Sequence, residues 1–356
     1  MKYVLIDGNN LAIRSAFAND GLKNDNGEDT SVHYGFFNSL KALKEKYPAH
    51  QFLVVWDGKS KRRKIESEAG VKKKIIPSAY KENRKKEDRP APLLSFYEQS
   101  TFLKKAILQT GIPQIRLFDY EADDVVASYC EVLKNGAEEV VLVTSDKDYF
   151  QLLGINVSLY DGMKEKEQDK YLTIEKFFEQ FEIEPPQYID VGALMGDIGD
   201  NIFGIPGWGL KSALKAIREH ETYKKLYKHL HTEYDPIRNE YPDLSEEEFE
   251  KLASIETKSK KKKYPEITSD MPFTGVALAF EEKRWKPEKT AGAKQNIMAL
   301  MFEERVHLAY SLKKMDSDIG SLPSIAPVSE FKQDRLLEYF DYYGIESLKE
   351  DVELLN

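Results

Sequence analysis

The stretch YVLI at residues 3–6 runs directly into Asp7, and its reading decides the fold. It is a compact apolar run with β-branched residues, the pattern of a short buried strand. Two runs of the same kind, FLVVW at 52–56 and VVLVTS at 140–145, also end on an aspartate, Asp57 and Asp146. Helix-length patterns lie between them, around SVHYGFFNSLKALKEKY and around SFYEQSTFLKKAILQTG, where Gly111 and Pro113 mark a stop and a restart. Strands alternating with helices predict an α/β fold, a mainly parallel central sheet flanked by helices with right-handed crossovers. Such sheets take their ligands at the carboxyl ends of the strands. Asp7, Asp57 and Asp146 are therefore expected at one site.

More acids follow the same logic. YEADD supplies Glu121, Asp123 and Asp124 at a helix start, SDKD supplies Asp148 beside Asp146, and GDIGD supplies Asp197 and Asp200. Residues three apart on a helix share a face, so Glu121 with Asp124, and Asp197 with Asp200, are each expected to present two carboxylates together. Carboxylates gathered in this number repel one another unless cations or protons compensate them. Oxygen ligands without His or Cys favour Mg²⁺ or Mn²⁺ over zinc. Two such ions, about 4 Å apart, suit in-line displacement at a phosphodiester. Capping of helices and turns is the ordinary use of any one of these residues. It does not require acids at three successive strand ends.

The 356 residues, 41% hydrophobic and 12% aromatic, suffice for a sizeable core. The net charge of −9 argues against a polyanionic partner only at first sight. Setting aside the nine acids leaves 52 basic against 52 acidic residues, and residues 59–89 hold 13 Lys/Arg against 5 Asp/Glu. A second basic run, KSKKKK, lies at 258–263. No apolar run approaches the roughly 18 residues of a membrane span, and MKYVLIDGNN lacks a secretory apolar region, so a cytoplasmic protein is expected. Cys130, within SYCEVL, reads as a small core residue.

Two elements have the chemistry to hold phosphate. In GIPGWGLKSA, Gly207 and Gly209 flank Trp208 in a tight turn that opens a helix at Leu210, with Lys211 in its first turn. Glycines let backbone N–H groups approach a phosphate, and the helix N-terminus adds partial positive charge. The pattern resembles the helix-hairpin-helix class, which grips a duplex backbone without reading bases. In SAYKENRKK, Tyr80, Lys81 and Arg84 recur at helical spacing, so an aromatic and two cations are expected on one face. A solvated charged face is the plainer alternative.

From about residue 173 the pattern becomes predominantly helical. Residues 223–290, polar and irregular with Pro265, Pro272 and Pro287, read as an insertion or a long loop. The end, PVSEFKQDRLLEYFDYYGIESL, reads as one amphipathic helix stopping near Gly344.

Together, LIDGNN at 5–10, WDG at 56–58, AYKENR at 79–84, YEADDVVA at 120–127, TSDKDYFQLL at 144–153 and ALMGDIGDNIFGIPGWGLKSA at 193–213 resemble the 5′ nuclease or flap endonuclease family. That family includes the N-terminal nuclease domain of bacterial DNA polymerase I and stand-alone bacteriophage 5′-3′ exonucleases. The resemblance implies a PIN-like core over 1–172 with a basic helical arch at about 59–95. It implies a mostly helical DNA-binding region over 173–356, with a helix-hairpin-helix at about 190–220, whereas the charged insertion at about 223–290 corresponds to nothing in the family pattern. It assigns Asp7, Asp57, Glu121, Asp123 and Asp146 to a nucleophile-activating metal, and Asp148, Asp197 and Asp200 to a second, with Asp124 between them. Lys81 and Arg84 match cations at the scissile phosphate, and Tyr80 a base-stacking residue. Gly207, Gly209 and Lys211 match the duplex clamp, which in the family often binds K⁺.

The implied function is a structure-specific 5′ nuclease, a monomer, acting on DNA with a 5′ flap, nick or RNA primer during replication. A polymerase or a single-strand-binding protein would be its partners, no membrane is involved, and the host cytoplasm is its location if phage-encoded. A junction-binding protein without catalysis competes with this reading, but gains nothing from concentrated negative charge facing DNA. A small-molecule phosphohydrolase using Asp146 and Asp148 leaves Lys81, Arg84 and the glycine turn unexplained.

Overall fold

The computed structural model describes residues 1–85, 87–240, 299–300, 302–327 and 329–356, with the backbone alone over 233–240. The KSKKKK run and Pro265, Pro272 and Pro287 lie outside the described residues. The chain packs as two units, one of Met1–Ser60, Arg84–Phe177 and Met315–Asn356, the other of Lys61–Asn83 and Phe178–Lys314.

In the first unit, strands β1 (Lys2–Asp7), β2 (Gln51–Trp56), β3 (Gln114–Arg116), β4 (Glu139–Val143), β5 (Val157–Tyr160) and β6 (Tyr171–Leu172) form one sheet in the order β3-β2-β1-β4-β5-β6. Every pairing is parallel except β5 with β6. In register, Ile6 lies between Val54 and Val143, so β1, β2 and β4 end side by side. The three apolar runs read from sequence are these central strands. They are continuously apolar because helices cover both faces of a parallel sheet.

Helices α1 (Gly8–Ala18), α2 (Ser31–Lys46), α4 (Ala91–Ile107) and α5 (Ala122–Leu133) belong to this unit, with α3 (Lys61–Lys72) assigned to the other. Val4, Ile6, Phe36, Leu40, Val54, Trp56, Leu103 and Val141 anchor the core. Cys130 is buried as expected, and burial pushes its thiol up to about 12.

The packing departs from a sequential division at residue 172. Leu336, Phe340 and Tyr343 of a C-terminal helix bury against Phe37 and its neighbours, which returns residues 315–356 to the first unit. Conversely, α3 packs in the second unit. The final segment is not one helix from Pro327, because helix begins only at Gln333, and it stops at Gly344 as read.

After the short α6 (Glu167–Lys170) and α7 (Ile174–Phe181), the second unit contains α8 (Tyr188–Met195), α9 (Leu210–His220), α10 (Tyr223–Glu240) and α11 (Glu303–Lys313); the C-terminal helix of the first unit is α12 (Gln333–Tyr343). Helix α8 packs on both α9 and α11. Residues 223–240, read from sequence as irregular, are helical because Tyr223, Leu226, Tyr227 and Leu230 recur on one buried face.

Candidate active site

Three adjacent strand ends bring their aspartates to one crevice in the first unit. Asp7, 8% exposed, ends β1 and caps α1, its Oδ1 accepting the Asn10 N–H at 3.0 Å. Its Oδ2 accepts from the Tyr149 hydroxyl at 3.1 Å. Asp57 follows β2, and its Oδ1 accepts the N–H of Ala122, the first residue of α5, at 2.9 Å. Asp146 follows β4 and accepts the Asp148 N–H at 2.9 Å. Each aspartate therefore does cap a turn, yet the three still converge. Neighbouring asparagines of the LIDGNN stretch fix the surrounding loops, Asn9 accepting the Asp57 N–H at 3.4 Å and Asn10 both the Ser145 N–H and hydroxyl at 3.1 Å.

The electrostatics record the convergence. The Asp7 carboxyl is raised well above the ordinary carboxylate range, first by burial and then by the charges of Asp57 and Asp146. The Tyr149 hydroxyl is likewise pushed up by burial and by Asp7, Asp123, Asp146 and Asp57. Among the described residues, no three His, Cys, Asp or Glu side chains are drawn tightly enough together to hold an ion by themselves. The acids stand at neighbouring strand ends and range from buried Asp7 to exposed Asp146. An all-oxygen donor set under like-charge strain fits a hard divalent cation, whose charge would relieve it.

Glu121 and Asp124 do not present paired carboxylates on a helical face. Glu121 is the N-cap of α5 and Asp124 its third residue, joined in a reciprocal capping box. Asp124 is 1% exposed and accepts the Glu121 N–H at 3.2 Å and the Asp316 N–H at 2.8 Å. Asp123, half-buried, is the member of the pair whose charge reaches Tyr149.

In the second unit, Asp197 and Asp200 lie not on a helix but in a turn after α8, because Asp197 Oδ1 accepts the N–H groups of Gly199 at 2.9 Å and Asp200 at 3.3 Å. Tyr80, Lys81 and Arg84 do not share a helical face either. Residues 80–83 form a turn, with Lys81 at φ +57°. That turn is tied to Asp200, whose carbonyl accepts the Lys81 N–H at 2.9 Å. The Asp200 carboxylate accepts from the Tyr80 hydroxyl at 3.2 Å and lies 3.8 Å from Lys81 Nζ, which stands over the Tyr80 ring at 4.7 Å. Arg84 belongs to the first unit.

Lys313 was not legible as a site residue. Only 4% exposed at the end of α11, it reaches Asp197 Oδ2 at 3.3 Å, and a Cβ at Gly192 would sit 2.7 Å from its Cδ. The glycine of α8 makes room for the lysine stem. A separation of 116 residues left no local signal. Tyr149 and the two asparagines, by contrast, sit inside quoted motifs.

The glycine turn is formed as read. Gly207 has φ +78°, Gly209 is the N-cap of α9, and exposed Lys211 lies in the first turn. A Cβ at Gly209 would meet nothing within 4 Å, so this turn faces open space.

Acids at the carboxyl end of a mainly parallel sheet, with a glycine-turned helix start elsewhere in the chain, define an α/β protein with an all-oxygen donor set. The chain belongs to the 5′-3′ exonuclease family. Its N-terminal resolvase-like domain matches residues 2–182 and its C-terminal SAM fold matches residues 183–274. The second match extends into the segment that resembled nothing at the sequence level. The 5′-3′ exonuclease of Aquifex aeolicus is 30% identical over 69% of this chain and 78% of that protein. The DNA polymerase I of Caldicellulosiruptor bescii is 31% identical over 81% of this chain, but the chain spans only 31% of that polymerase. T5 5′-exonuclease, solved with bound divalent zinc, shares the fold, with a TM-score of 0.55 and 20% identity over the whole of both chains. Among the described residues, no helix is long and apolar enough to cross a membrane.

Proposed function

We propose that the protein is a divalent-metal-dependent, structure-specific 5′ nuclease that acts as a 5′-3′ exonuclease or flap endonuclease on branched, nicked or primer-bearing duplexes. The observation that carries this reading is the convergence of Asp7, Asp57 and Asp146 at three adjacent strand ends, where the charges of Asp57 and Asp146 add to burial in raising the Asp7 carboxyl. Family membership supports it. Mg²⁺ or Mn²⁺, when bound, would supply compensating charge, activation of water and stabilisation of the leaving oxygen.

Asp7, Asp57, Glu121, Asp123, Asp146, Asp148, Asp197 and Asp200 are the proposed ligands, with Asp124 holding the start of α5 in register. Asp7 is the fixed point, since its burial and the Tyr149 hydroxyl set its orientation. Lys81 and Arg84 would meet the scissile phosphate, where fixed positive charge counts most as negative charge develops. Tyr80 would stack on a nucleotide. Gly207, Gly209 and Lys211 would hold the duplex backbone, with K⁺ as a candidate ion at that turn. The products would be a 5′-phosphate and a 3′-hydroxyl, and the use would be removal of primers or flaps in replication. A replicative polymerase and a single-strand-binding protein are the proposed partners of a monomer.

The test is cleavage of a 5′-labelled flap duplex in Mg²⁺, in EDTA, and by Asp146→Ala, with binding followed separately in Ca²⁺. Metal-dependent cutting near the branch, lost in the variant while binding survives, is expected. Tight junction binding with no cutting in Mg²⁺ or Mn²⁺ would overturn the reading.

A further inference from the structure

The loop joining β3 to α5 carries Phe118, 79% exposed on a loop that is firmly pinned. The Phe118 carbonyl accepts the Lys59 N–H at 2.9 Å, and the Tyr120 carbonyl accepts the Gly58 N–H at 2.9 Å. A Cβ on Gly58 would stand 2.0 Å from the Leu117 oxygen and 2.5 Å from the Tyr120 oxygen. Only glycine after Asp57 lets the loop lie this close. Among the described residues, this large apolar ring is left mostly in water on a backbone that is held in place.

Its position is chemically specific. The loop begins at Arg116 and ends at Glu121, so it borders the carboxylate crevice at both ends. Arg116 donates from Nε to the Asp57 carbonyl at 2.8 Å, and its guanidinium stands 5.5 Å from the centre of the Phe118 ring. A fixed aromatic face beside an exposed guanidinium, attached to the backbone of a crevice aspartate, has the two features that hold single-stranded nucleotides. The ring stacks on a base, and the cation meets a phosphate.

We propose that Phe118 is a base-stacking residue for the strand lying at the carboxylate crevice, positioning the nucleotide next to the phosphodiester to be cut. This rests on the nuclease reading above. The occupant is a nucleobase of any sequence, since stacking does not distinguish one base from another. The rigid loop would present the ring without an ordering cost on binding.

The test places 2-aminopurine on either side of the cleaved phosphodiester of a flap duplex. Fluorescence is read in Ca²⁺, and kcat and KM in Mg²⁺, for the full chain and for Phe118→Ala, Phe118→Leu and Phe118→Trp. Stacking predicts quenching of one probe by the unaltered protein, loss of that quenching in the Ala and Leu variants, and a KM raised roughly tenfold. Phe118→Trp should restore both. Because the side chain is mostly exposed, none of the variants should change the unfolding midpoint. If the unaltered protein binds and cuts but Phe118→Ala keeps its quenching and KM, or Phe118→Leu matches the unaltered protein, the stacking role is overturned while the nuclease reading stands. If the unaltered protein neither binds nor cuts the flap, both fall.

Discussion

Two consecutive aspartates, Asp123 and Asp124, show how one sequence feature divides into two roles. Asp124 is buried and accepts backbone N–H groups from Glu121 and Asp316, whereas Asp123 is only half-buried and its charge reaches Tyr149. Asp124→Ala would strand two donors, so a loss of about 2–4 kcal/mol of stability is expected, measured by urea unfolding. Asp123→Ala gives up one acceptor, that of the Asp124 N–H, and should cost only about 1 kcal/mol of stability while lowering flap cleavage at least about tenfold. Reversed results would exchange the roles. Lys313 makes a third case, a buried cation paired with Asp197. Lys313→Met keeps the apolar stem against Gly192 and removes the charge. Cleavage by this variant is expected to fall about tenfold through misplacement of Asp197, with Lys313→Arg recovering part of it. Unchanged kcat and KM would show the pair to be structural only.

The turn from Gly196 to Gly204 is the element whose backbone places Asp197 and Asp200. Gly196 ends α8 at φ +72° and ψ 178°, a region closed to residues with a Cβ. A Cβ there would also lie 2.5 Å from the Gly204 nitrogen, and one on Gly204 would lie 2.6 Å from the Leu194 oxygen. The two glycines let the ends of the turn touch, while the Asp197 side chain closes its middle by accepting the Gly199 and Asp200 N–H groups. Gly196→Ala is therefore expected to cost about 3 kcal/mol or more, strain and overlap acting together, and to reduce cleavage beyond what the stability loss explains. Circular dichroism melts with cleavage assayed well below the midpoint separate the two effects. Gly199→Ala meets only the Asp197 carboxylate oxygen, at 3.2 Å, and serves as the mild control.

At the scale of the molecule, the sequence was legible where neighbouring residues carry the constraint. The strands ending at Asp7, Asp57 and Asp146, the α9 start after Gly209 and the stop at Gly344 all follow from local patterns. Helical spacing misled at Tyr80 to Arg84 and at Asp197 to Asp200, because short polar residues satisfied the backbone in turns instead. What stayed hidden is long-range, namely Lys313 on Asp197 and α12 closing the first core.

That closure predicts a pH response. His33 on α2 is fully buried, its Nδ1 engages the Tyr339 hydroxyl of α12, and its ring lies 3.9 Å from that of Tyr343. Burial lowers its pKa to about 3, against the opposing pull of Asp29. The fold therefore holds the neutral ring, while the unfolded chain binds a proton near pH 6.5. Unfolding takes up that proton below this value, so stability from this residue falls as pH drops from about 6.5 towards 3, on the order of 1 kcal/mol per pH unit. The effect should appear as a lower urea midpoint at pH 5 than at pH 7. His33→Gln, which cannot take up the proton, should flatten that dependence even if it is less stable at pH 7. An equal pH slope in the variant would assign the acid sensitivity to the carboxylates instead.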